Sequence, residues 1–190
     1  MTLLLEMKTI MEITALKQTI GKHYPKISQF FHKKLEELQM PNIVQNVMGP
    51  IEQLPVFIFS GFLFCKDQII YAQLCDGNED WKTYPITLVS EGKKIRLQPP
   101  SVVPCIIMSG FGDQDFKEAT LAHEVSHYFQ TLIEGETEQP TNFDSFNEYI
   151  NNRGEEVAVD CEQEYLELVK GYSGDQTQRF LKNKYFPSDK

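Results

Sequence analysis

Apolar positions recur along this chain in three successive regions, with a helical period, a strand period and then the helical period again. From Ile27 onward, Ile27, Phe30, Phe31, Leu35 and Leu38 return at three- and four-residue steps, which predicts one buried face of a helix. Pro25 suits its first turn, and residues 1 to about 40 read as helical throughout. The stretch from Met40 to Pro55 carries Pro41, Gly49, Pro50 and Pro55 and reads as a connector.

Residues 55 to 110 change character to strands. VFIFSGFLF and IIYAQLC are dense in β-branched and aromatic residues, with the turn-like Lys66-Asp67-Gln68 between them. TYPITLV and KKIRLQ flank Ser90-Glu91-Gly92 as a hairpin. In its second arm Ile95 and Leu97 alternate with Lys94, Arg96 and Gln98, so one face meets water. SVVPCIIMSG is a further apolar strand, and Pro104 marks it as edge or irregular.

Residues 115 to 186 return to the helical period. Asp115 with Glu118 resembles a capping box opening a helix that runs to about Glu134, where Gly135 and Pro140 end it. A second helix covers roughly Gly154 to Lys170 and stops at Gly171 and Gly174. A third, short one spans Asp175 to Lys184. Helices, then antiparallel strands, then helices describe an α+β fold in one domain of 190 residues.

Composition narrows the function. The formal net charge of −9 opposes binding to nucleic acid. The longest apolar run, Leu54 to Cys65, is shorter than the ~20 residues a membrane helix needs. The start, MTLLLEMKTIMEI, lacks the basic lead and long apolar core of a signal peptide. Cys65, Cys75, Cys105 and Cys161 form no CxxC pair and read as reduced thiols, so a cytoplasmic protein is expected.

The chemistry is concentrated in Ala122-His123-Glu124-Val125-Ser126-His127. Histidines at i and i+4 lie one turn apart on one helix face, so both rings can reach a single metal ion. Ala122, Val125, Phe129, Leu132 and Ile133 make the apolar stripe, and the histidines project to its other side. Glu124 is turned about 100° from His123 and is placed to take a proton from a zinc-bound water rather than to hold the ion. Catalytic zinc commonly has three protein ligands. No further histidine follows nearby, and His23 and His32 read as surface or packing residues. The third ligand should then be a carboxylate downstream. Glu155 is favoured narrowly because Ala158, on the same face, would let two helices approach closely. Glu156 has Asp160 at i+4, which could receive the outer N–H of a zinc-bound histidine. Glu148 is a third candidate.

HEVSH followed by Glu155-Glu156-Val157-Ala158 resembles the gluzincin metallopeptidases, marked by HExxH and then ExxA or ExxxD on a later helix. Over residues 101 to 170 the chain is most similar to the ImmA/IrrE-like peptidases. Ala158 fits Glu155 and Asp160 fits Glu156, so both remain candidates. The resemblance implies a zincin-like fold: N-terminal helices, a small, twisted, mostly antiparallel sheet over the HExxH helix, and a following helix bearing a glutamate. It implies a zinc endopeptidase whose sheet edge pairs with an extended peptide, with SVVPCIIMSG a candidate for that neighbourhood. It also implies a group to stabilise the oxyanion, for which Tyr149, Arg153, Tyr165 and Tyr172 are available. Protein or peptide substrates are the expected partners, with a regulatory protein partner a further possibility. Two other readings stand beside this one: a non-catalytic binding or regulatory module with a structural zinc, and a metallohydrolase acting on another amide.

Overall fold

A computed structural model describes residues 15–40, 43–66, 68–134 and 153–186. Among these residues the fold is α+β, with six helices and two four-stranded sheets.

The N-terminal part departs from an all-helical reading. Leu16–Thr19 is a strand, β1, and among the described residues before 40 the helices are Ile20–His23 (α1) and Pro25–Glu37 (α2). LKQT has no helical apolar period of its own. Its backbone is satisfied by antiparallel pairing with β2, Pro55–Phe59. In α2, Pro25 occupies the first turn and Ile27, Phe30, Phe31 and Leu35 are buried. Leu38 falls at the C-cap, just before left-handed Gln39, and is exposed.

The expected connector is in fact a helix, α3, Val44–Gln53, with Pro50 inside it. A proline in a helix interior costs about 3 kcal/mol. Val47, Met48 and Ile51 are buried, each worth about 1.5–3 kcal/mol, so packing outweighs the local breaker.

VFIFSGFLF splits at Ser60-Gly61 into β2 and β3, Phe62–Cys65. A Cβ on Gly61 would run into the carbonyl of Val89, so only glycine fits this corner. The next run also divides, into β4 (Gln68–Ile70) and β5 (Ala72–Cys75). Then come β6 (Ile86–Ser90), β7 (Lys93–Arg96) and β8 (Cys105–Ser109). The expected single sheet is two. Sheet A has the order β1-β2-β8-β5, antiparallel except for the parallel β2–β8 pair. Sheet B, β4-β3-β6-β7, is antiparallel throughout. The β6–β7 hairpin forms as its sequence predicts, with Glu91 and Gly92 both at positive φ in a two-residue loop. Lys93, Lys94 and Arg96 are exposed and Ile95 is half-buried.

Sheet A is the middle layer of three. Val56, Ile106 and Met108 lie in the core shared with the helices, and Ile58, Ala72 and Leu74 pack against it. On the opposite face Cys75, Cys105 and Ile107 join Leu63, Trp81, Ile86 and Leu88 of the sheet B side. Both faces are dry, which is why VFIF and CIIM show no polar alternation. β8 is therefore interior, not an edge. Pro104 precedes its first paired residue, Cys105, so the missing N–H removes no ladder bond.

The remaining elements are α4 (Gln114–Glu134), α5 (Arg153–Glu164) with a π-helical turn over Tyr165–Val169, and α6 (Gly174–Tyr185). The π turn changes which leucine is buried: Leu166 is inside and Leu168 outside, the reverse of a continuous α-helical stripe through Ala158, Cys161, Tyr165 and Leu168. Ser173 and Gln176 form a capping box for α6. No described helix is long and apolar enough to cross a membrane.

Candidate metal centre

The centre is built where α4 crosses α5. Helix α4 starts at Gln114, and its cap is Asp113, whose Oδ1 accepts from Phe116 N at 2.8 Å. Asp115 is not the cap. Glu118, its expected box partner, instead accepts from Tyr165 Oη and pairs with Lys170, each at 2.7 Å. Ala122, Val125 and Phe129 bury the apolar stripe in the helical core, as the wheel predicts. Ala158 of α5 is fully buried.

That packing brings Glu155 to the two histidines. His123, His127 and Glu155 are buried and offer one ligand atom each to a common point, so the group could hold a metal ion. Nε2 of His123 lies 3.1 Å from Nε2 of His127 and 3.1 Å from Glu155 Oε2, and His127 Nε2 lies 3.6 Å from that oxygen. Tetrahedral zinc with bonds of about 2.0–2.1 Å separates its ligand atoms by about 3.3 Å, so the spacing fits. Two imidazoles and a carboxylate are also the donor set zinc takes.

The three groups also set one another's charge. Glu155 Oε2 is buried, and its negative charge faces the Nε2 atoms of both imidazoles. Burial opposes charging His123, yet Glu155 and Glu162 outweigh it and raise the metal-free imidazole to about 9. Burial likewise pushes Glu155 upward, and the two histidines overcome this and hold it well below the usual carboxylate range. Without metal, proton and carboxylate neutralise one another. A metal ion must displace that proton.

The other candidates are placed elsewhere. Glu156 and Asp160 are exposed, so their proposed ligand and supporting roles have no counterpart in this geometry. Glu148 and Tyr149 lie outside the described residues, as does the Arg153 side chain. Tyr165 Oη is committed to Glu118 and Tyr172 Oη bonds Asp115 Oδ2 at 3.2 Å, so neither points at the ligands. His23 and His32 are exposed, as expected. All four cysteines are free thiols, with Cys65 half-buried and the rest buried.

Glu124 is turned toward sheet A. Its Oε2 accepts from Leu74 N at 2.6 Å. Among the described residues β5 ends its sheet, and Tyr71 O, which accepts from Ser109 N at 2.8 Å, shows that odd-numbered residues face β8. Ala72 and Leu74 therefore direct their backbone groups to the open side.

Sequence reasoning missed Glu162, Lys184, Tyr185 and the part played by Leu74. Glu162 follows Glu155 by seven residues, two helical turns, and that spacing was a usable signal. Comparison with protein-family models, curated proteins and solved structures finds no match for this chain.

Glu155→Gln is expected to weaken zinc binding by at least tenfold and Glu156→Gln by less than twofold, measured by chelator competition. The reverse order would move the ligand to Glu156.

Proposed function

We propose that this chain is a zinc-dependent peptidase of the HExxH type, with His123, His127 and Glu155 as ligands and Glu124 as general base. The observation that carries the reading is the convergence of three ligand atoms at tetrahedral spacing, with Glu124 held between them and an open sheet edge. A sheet over an HExxH helix, followed by a helix bearing the carboxylate proposed as third ligand, also supports the zincin-like fold that the sequence resemblance implies.

Zinc at this point would polarise a substrate carbonyl and acidify a bound water. Glu124 takes the proton from the attacking water and delivers it to the leaving amine. The outward backbone groups of Ala72 and Leu74 favour an extended peptide as substrate, added as a strand along β5 where it displaces Glu124 from the Leu74 N–H. In this reading β5 serves as the substrate edge in place of SVVPCIIMSG, one candidate for that neighbourhood, whose strand β8 lies inside the sheet. Four free thiols suit a reducing, cytoplasmic setting.

One observation favours a second reading. His123 is 5% and His127 4% exposed, a degree of enclosure that also suits a structural zinc in a binding module. The two readings separate on one experiment. Purified protein, containing about one zinc per chain, is screened against a peptide library with and without chelator. Cleavage abolished by chelator and restored by zinc is expected. A zinc enclosed by four protein ligands, seen by X-ray absorption, would overturn the enzyme reading.

A further inference from the structure

Behind the ligands lies a second cluster of charge, buried and supplied by two other helical turns. Glu162 is fully buried, and Lys184 is 4% exposed. Adjacent residues of α6 divide the Glu162 carboxylate between them: Lys184 Nζ donates to Oε1, and Tyr185 Oη donates to Oε2. The Lys184 ammonium is held against the rings of Phe116 and Tyr185, 5.5 and 4.6 Å from their centroids. The oxygen that Tyr185 holds is also the one nearer His123, with Nδ1 3.4 Å from Glu162 Oε2 and 3.3 Å from Tyr185 Oη.

A buried Glu–Lys pair on its own would be a packing feature with a desolvation cost. Here the pair has a third member on each side of the carboxylate, and the histidine it meets turns its other nitrogen toward His127 and Glu155. An imidazole that donates from Nδ1 carries its lone pair on Nε2. The Glu162 carboxylate is an acceptor only, and it stands at Nδ1.

We infer that Glu162 is a positioning residue, clamped by Lys184 and Tyr185, that holds the His123 proton on Nδ1 and aims Nε2 at the metal. The helix α6 is then part of the metal centre, although it supplies no ligand. This inference rests on the metal-site reading above.

The test uses two variants that leave the ligands intact and bury no lone charge. Tyr185→Phe removes one hydroxyl. The double variant Glu162→Gln/Lys184→Met replaces the ion pair by neutral side chains of similar length. Zinc affinity is measured by chelator competition on protein whose unfolding transition in chelator shows it to be folded. Cobalt(II) replaces zinc in parallel, and its visible absorption reports ligand geometry. Loss of such supporting partners typically costs about 10–100-fold in metal affinity, and a loss in that range is expected for both variants, together with a changed cobalt spectrum. A purely structural role predicts altered unfolding with affinity within twofold of wild type and an unchanged cobalt spectrum, and that result would overturn the inference. Absence of zinc binding by the wild-type chain would overturn the metal reading itself, an outcome distinct from the first.

Discussion

Glu124→Gln is expected to retain zinc and, on the proposed reading, to lose hydrolysis by roughly 10²–10⁴-fold, the contribution of a positioned general base. The substitution keeps the side-chain length and an oxygen to accept from Leu74 N–H, so the bond that fixes this side chain against β5 can persist. It leaves His123, His127 and Glu155 untouched, so metal content by elemental analysis stays at the wild-type level. What it removes is the carboxylate proposed to take the proton of the attacking water. The decisive comparison is cleavage rate per bound zinc, wild type against variant, on one substrate. Equal rates would sink the assignment of Glu124, and loss of zinc in the variant would assign it a ligand role instead.

The second large effect is on stability. Glu162→Gln alone is expected to destabilise the metal-free fold by about 3–5 kcal/mol, because it strands the Lys184 charge in the interior. Burial already lowers the Lys184 pKa, and Glu162 is the largest effect opposing that fall. With Glu162 gone the folded-state value drops further below the unfolded one. A group depressed in this way binds more protons unfolded than folded, so stability rises with pH. The deficit therefore shrinks as pH climbs toward about 10.4, the ordinary lysine value. Urea denaturation in chelator at pH 7 and pH 10 reads both the deficit and its slope. Adding Lys184→Met should recover most of the loss. A single variant within about 0.5 kcal/mol of wild type would show that the interior tolerates the lone ammonium.

What could be read from the sequence follows the range of the interactions that decide each element. HExxH lies within one turn of one helix, so its geometry is legible from spacing. Ala158 pointed to Glu155 because close helix packing needs a small residue on the same face, and α5 packs in that way. The β6–β7 hairpin was legible because its turn is two residues long. By contrast, β1 is a strand only because β2, some forty residues away, pairs with it, and α3 forms against its own Gly49 and Pro50 because a distant core buries Ile51. The division of the strands into two sheets depends on pairings across the Ser60-Gly61 corner and the single-residue switch at Tyr71. Glu162 gave a periodic hint, but Lys184 and Tyr185 are brought to it by the loop and π turn between α5 and α6, which no local pattern announces. The π turn also exchanged Leu166 for Leu168 at the core.

The bond between Glu124 and Leu74 bears on self-association as well as on chemistry. An open strand at the end of a sheet is a template on which a second copy can add its own strand, and proteins commonly blunt such edges with a charge. Here a carboxylate on the neighbouring helix occupies one of the outward N–H groups of β5. An incoming strand from another copy must displace that charge before it can complete a ladder. Variants that delete the carboxylate outright, such as Glu124→Ala, would uncover the template and lower the barrier to aggregation, which makes the glutamine variant the cleaner probe.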